Sequence, residues 1–477
     1  MPPGSAHPAR HGYHSAFMST SHQESETSTT RRVVFTGLGP ISAFGPGIEP
    51  LWAAMLEGRS GITSLDSRFD ASGFECPFAA SLPAEDFDVR KVVPKTYRKA
   101  TKVMARDTEL AVGAAAIAVS DAGLVTRATD GDEPPTIPPS RTGCHIGAGL
   151  IAADVDELSA ALVTSLDDEG DFDIGRWGEI GMGNLTPLWL LKYLPNMLAC
   201  HVTIIHDCQG PSNTITCAEA SSGLSIGESM RVIMRGHADL CLTGGAESKL
   251  NPMGLLRQQY AKRLASVSPE AAPDSIVRPF STDASGGVLG EGGGILALEG
   301  LDHALARGVE PIAELAGFSA SQAMCSDTVG RAYDDEDVSV VRAIEAALSS
   351  ADCDPSEVDA IVPLGSGIPW MDAVDARAIR DVFGSRASEI PLITIVPYVG
   401  LCGAGIGAIA VAVAAQCLRE QTLPARIGSI DPGDVGLNCG SCESTDAKLR
   451  SILVFTTSLG GQNVAMLLRR WTNGESS

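Results

Sequence analysis

The stretch Gly210–Met230, GPSNTITCAEASSGLSIGESM, decides how the chain is read. It runs as a Gly/Pro turn, a short Thr-rich strand and then a helix of small residues. A strand-to-helix turn of this kind lifts one side chain to the positive end of a helix dipole, where a thiolate is stabilised. The residue at this turn is Glu219, with Cys217 two positions earlier in the chain. A carboxylate is also stabilised at that helix end, but it attacks far more weakly than a thiolate. The stretch reads as a scaffold for covalent chemistry without its attacking group.

Working outward, order begins at Arg32, where VVFTGLGPISAFG reads as a buried strand entering a glycine turn. Thr108–Gly123 is an amphipathic Ala-rich helix with a Gly stop, and Arg141–Leu150 is a strand entering a GAG turn. His201–Asp207, Ala238–Leu242 and Gly294–Leu298 read as short apolar strands, the first carrying His201 and His206 as core histidines. The second half repeats this outline. Strand Val358–Val362 enters LGSGIP and the helix Asp372–Phe383; strand Leu392–Val396 enters VGLCGAG and an apolar helix to Leu418. A duplicated α/β unit with mixed sheets follows.

A chain of 477 residues with 44% hydrophobic content can bury a large core. Its net charge of −23 argues against general nucleic-acid or anionic-membrane binding. Twelve scattered cysteines without a secretory opening fit a reducing cytoplasm. Cys439 and Cys442 form one CxxC with no second pair nearby, so the loop carries no metal expectation. Pro391–Leu418 has no charged residue and is long enough to cross a bilayer, but its Gly/Ala composition and Pro397 favour a buried helix. GEGGG at Gly290–Gly294 lacks the strand-to-helix context of a dinucleotide site. No cofactor is expected. Residues 1–30, rich in Ser, Thr, His and Pro, read as a disordered tail.

Five segments in order resemble the beta-ketoacyl-acyl carrier protein synthase family: VFTGLGPISAFG, NMLACHVTIIHDCQGPSNT (Asn196–Thr214), GHADLCLTGGAES (Gly236–Ser248), RPFSTDASGGVLGEGGGILALE (Arg278–Glu299) and SLGGQN (Ser458–Asn463). The resemblance covers Arg31 to Arg470. It implies the thiolase fold, with duplicated α/β halves in a five-layered αβαβα arrangement. The expected halves are 31–280, holding the elbow at Glu219, and 281–470, with a tail at 471–477.

That family uses an elbow cysteine as nucleophile and two histidines that stabilise developing charge. By the resemblance these fall on Glu219, on Leu364 of LGSGIP and on Leu401 of GLCGAGIG, and a customary lysine falls on Val396. Flanking glycines and Pro369 align without gaps. Losing one oxyanion donor costs about 10²–10³ in rate, so ordinary condensation is not expected. Ser366 and Leu459 are the substrate-binding candidates that the resemblance supplies, with Ile368 replacing a second hydroxyl.

Three roles follow from the resemblance. One is a chain-length-factor-like subunit paired with an active ketosynthase in fatty acid or polyketide biosynthesis, although Gln rather than Glu is the usual replacement there. Another is a repurposed acyl-thioester decarboxylase or hydrolase, with Glu219 raised in pKa by a dry pocket and Cys217, His206 or Asp207 nearby. The third is an acyl-binding homodimer. A buried Glu219 charge requires donors or a cation, which the helix N-terminus can supply. The acid-free run Arg90–Arg106 holds Arg98 and Lys99, and Lys262 and Arg263 fall where family members contact an acidic acyl carrier protein. Both are docking candidates, against the alternative of a solvated basic face. Trp189 and Trp370 fit either a tunnel, an interface or the core.

Overall fold

Strand β1 (Val33–Ser42) is buried along its whole length because it sits mid-sheet with helices on both faces. After it come helix α1 (Arg106–Asp121), strand β2 (Thr142–Ala148), helix α2 (Met197–His206), strand β3 (Ser212–Ile215) and helix α3 (Ser221–Met234). Strand β4 (Leu240–Ser248), helix α4 (Pro252–Tyr260) and strand β5 (Leu289–Gly300) close the first repeat. The second contains β6 (Ala313–Gln322), α5 (Ser339–Ser350), β7 (Ala360–Val362), α6 (Pro369–Phe383), α7 (Ile406–Glu420), β8 (Ser451–Thr457) and β9 (Gln462–Arg470). This computed structural model describes residues 31–65, 68–129, 131–323, 337–428 and 436–472. The expected tail at 1–30 lies outside them.

The two repeats share one pairing pattern. In the first, β3, β2 and β4 run parallel, then β5 and β1 add antiparallel. In the second, a bridge at Leu392, then β7 and β8, run parallel, and β9 and β6 add antiparallel. A short antiparallel contact between β1 and β6 (Val34 opposite Glu314, Phe35 opposite Ala313) joins the halves. Helices α3 and α7 touch each other and strands of both halves, while α1 with α2 and α5 with α6 cover the outer faces. These are the five layers of the thiolase fold.

The central layer explains the apolar run near the C-terminus. Every residue of α7 from Ile406 to Leu418 is buried, and the 18-residue window Gly403–Glu420 is 89% buried. Its membrane-like composition comes from burial against strands of both halves and the facing helix α3.

Four expectations change. His201–Asp207 is not a strand; it ends helix α2, whose buried positions Leu198, Ala199, His201, Val202, Ile205 and His206 follow three-and-four spacing onto α1 and β2. Its β-branched residues suggested a strand, but tertiary packing prevails. Leu392–Val396 forms only bridges, followed by a helical turn at Val396–Val399 where Pro397 suits the first positions. The repeat boundary is not at 280, because β5 pairs with β1 and β4; it falls between Gly300 and Ala313. Trp471 is not a free tail, since Arg32 stacks on its ring 5.5 Å from the centroid.

Candidate functional site

Strand β3 ends at Ile215, and the chain turns sharply before α3. Ala218 takes the left-handed conformation (φ 48°), which costs a residue with a side chain and signals a strained elbow. The turn presents Glu219, only 2% exposed, towards the interior. The matching turn of the second repeat, Gly403–Gly405 before α7, packs against it, and Gly403 has the same φ of 48°.

Glu219 is met by a cation. Arg263, 3% exposed, donates from Nη2 to Glu219 Oε1 at 2.5 Å, and the Leu459 backbone N–H donates to Oε2 at 3.3 Å. Arg263 also donates from Nη1 to Gln258 Oε1 at 3.0 Å, and its Nη2 lies 4.0 Å from Met371 Sδ. Burial pushes the Glu219 carboxyl upward, but the Arg263 and Lys249 charges and the Arg263 hydrogen bond outweigh it and hold it below its ordinary value. Glu219 is therefore an ionised, paired carboxylate, not one with the raised pKa expected of a buried acid or base. The thiol of half-buried Cys217 is raised by burial, and its backbone N–H donates to Ser221 Oγ at 2.8 Å.

Leu364, Leu401 and Met371 lie together in the central apolar cluster, with Val396 buried in the same cluster. A side chain at Gly287 would meet Leu401 Cδ1, and Gly287 N–H donates to Arg263 O, so Leu401 and Arg263 border one segment. The LGSGIP turn is held by acids. Asp372 accepts from the N–H groups of Phe280, Ser366 and Gly367, and Asp375 accepts from Gly365 N–H and Thr457 Oγ1. Burial pushes Asp372 up to about 6 against these donors, and burial with the Asp372 charge pushes Asp375 up to about 8.

Several candidates are placed differently from expectation. Arg263 is no docking residue, because its guanidinium is sealed inside on Glu219; Lys262 beside it is exposed, with φ 53°. Ser366 is wholly buried, and its hydroxyl donates to Asp372 and accepts from Ile368 N–H, so it is consumed within its own turn. Leu459 reaches the site through its backbone. His206 bonds Thr126 and Asp207 pairs with Arg127, away from Glu219; His201 Nδ1 bonds the Tyr97 hydroxyl at 2.8 Å. Arg98 and Lys99 are exposed. Gly290–Gly294 lies within β5, where Glu291 pairs with Arg68 and Arg106. Cys439 is buried while Cys442 is exposed and accepts from Arg426.

The sequence marked Arg263 for the wrong reason and passed over Gln258, Lys249, Asp372 and Asp375. The available signal for Arg263 was twofold: a buried glutamate demands a cation, and Arg263 is followed directly by apolar Leu264–Ala265.

A duplicated five-layer fold with a strained strand-to-helix elbow at its centre defines the class of condensing-enzyme frameworks. Residues 30–304 match the beta-ketoacyl synthase N-terminal domain and residues 312–429 the C-terminal domain. The chain belongs to the beta-ketoacyl synthase family. It is 28% identical to 3-oxoacyl-[acyl-carrier-protein] synthase 2 of Coxiella burnetii, over 92% of this chain and 99% of that protein. It is 29% identical to a putative polyketide beta-ketoacyl synthase 1 of Streptomyces halstedii, over 92% and 98%. Among solved structures it resembles the ishigamide ketosynthase/chain length factor (TM-score 0.76, 24% identity, 93% of this chain and 100% of that one). A beta-ketoacyl synthase from Burkholderia phymatum gives 0.77 at 24% identity, with the same coverage.

Proposed function

We propose that this chain is a non-condensing member of its family, a chain-length-factor-like partner of an active ketosynthase in carrier-dependent fatty acid or polyketide biosynthesis. One observation carries the reading: the nucleophile position holds a carboxylate neutralised by Arg263 and closed to solvent. A paired carboxylate in that position neither attacks a thioester nor readily takes up a proton. The two positions that would stabilise developing charge carry buried leucines, which donate nothing.

The surface supports a partner. β3 is the terminal strand of the sheet, and the segment between β2 and α2 exposes the apolar side chains Leu150, Val163, Phe172, Ile174, Leu188 and Leu190. Lys91, Lys95, Arg98, Lys99 and Lys102 are exposed, and among the described residues none is in an ion pair; an acidic carrier protein fits them. Such a complex belongs in the reducing cytoplasm, as the free cysteines suggest.

Reconstitution tests the proposal. The chain is mixed with an intact ketosynthase, carrier protein and malonyl donor, and products are sized by mass spectrometry. Products that appear or change length only when both chains are present support it. Release of CO₂ from malonyl-carrier by this chain alone, abolished in Glu219→Gln, would establish the decarboxylase alternative instead.

A further inference from the structure

Arg263 is a carboxylate receptor in all but the source of its ligand. Its guanidinium is buried, held on one side by Gln258 and flanked by Met371, and the turn that aims it inward is set by left-handed Lys262. The Leu459 N–H approaches from the glycine loop near the end of the chain, so two donors from segments far apart in sequence converge on one carboxylate. Arg263 Nε has no partner among the described residues, so the guanidinium retains donor capacity. Glu219 supplies both oxygens from within. Lys249, although paired with Glu247, also lowers the Glu219 carboxyl, so a second positive charge bears on the same spot.

We propose that Arg263 and the Leu459 N–H form a carboxylate-binding site that the chain occupies with its own Glu219, and that takes a short exogenous carboxylate only when Glu219 is shortened. The inference rests on the reading of Glu219 as a non-reacting group. It adds a consequence: the native pocket rejects small organic anions, and shortening Glu219 makes it accept them. An uncompensated guanidinium at this depth is costly, and a mobile anion relieves that cost wherever it can enter.

The test uses the full chain carrying Glu219→Ala, with thermal unfolding followed in sodium formate or sodium acetate against sodium chloride at matched ionic strength. The expected result is a saturable rise in Tm with formate and acetate that chloride does not give. The same salts should leave the native chain and the Glu219→Ala/Arg263→Met double variant unshifted relative to chloride. Equal shifts in all three salts, or a carboxylate effect that persists in the double variant, would overturn the site. If Glu219→Ala is recovered only unfolded, refolding yield is read instead: formate-specific recovery supports the proposal, and equal yields in formate and chloride refute it. Because the readout is binding, failure here leaves the non-condensing reading standing, and condensing activity would not by itself remove the site.

Discussion

Glu219 and Arg263 are each unfavourable alone at this depth and tolerable only as a pair. Removing one partner of a buried pair typically costs about 3–5 kcal/mol, because the other charge is left uncompensated. Glu219→Gln should therefore lower unfolding stability by about 3 kcal/mol, and adding Arg263→Met should recover part of that loss. Denaturant unfolding of the four chains in the cycle measures the coupling. The pH dependence separates two kinds of buried acid. Glu219 has a lowered folded pKa, so its contribution is present above its unfolded pKa and is lost as pH falls through the folded one. Asp375 is the opposite case. Between about 4 and about 8 the unfolded state has released this proton while the folded state keeps it, so stability declines as pH rises across that window and levels off above it. Asp375→Asn should flatten this part of the stability profile, read as denaturation midpoint against pH. An unchanged slope would show that Asp375 is ionised in the fold.

At the scale of elements, the two repeats reuse one packing solution. A side chain at Gly37 of β1 would strike Ala118 O of α1, and one at Gly317 of β6 would strike Ala347 O of α5, in each case within about 2.4 Å. Helix and strand therefore touch backbone to backbone at matching places, beside a register irregularity in both strands. Gly317→Ala should destabilise by about 1–3 kcal/mol through overpacking, measurable as a fall in Tm with the strand content in circular dichroism retained. The elements most legible in sequence were those with long, consistent patterns: the Ala-rich α1, the apolar α7, the β1 run and the Thr-rich approach to the elbow. Helix α2 was misread because a β-branched stretch such as Val202–Ile205 suits a strand locally, and only its three-and-four burial onto α1 reveals a helix. The site was legible where backbone turns define it, as at Glu219, Leu364 and Leu401. It was illegible where long-range pairing defines it, because 44 residues separate Glu219 from Arg263 and 240 separate it from Leu459.

At the scale of the whole molecule, the proposed partner role turns on surface charge. The acidic chain concentrates exposed cations in one segment, tied to α2 through Tyr97 and His201. Arg98→Glu with Lys99→Glu should weaken binding of an acidic carrier protein several-fold and reduce its salt dependence, without altering Tm, as read by calorimetry at two ionic strengths. The centre is tested more directly by asking whether the chain ever carries an acyl group. Purified protein is incubated with an acyl-carrier thioester and analysed by intact-mass and peptide mass spectrometry. The account predicts no acyl adduct at Glu219 or Cys217. An acyl mass mapped to either residue, formed at the rate of turnover, would contradict it.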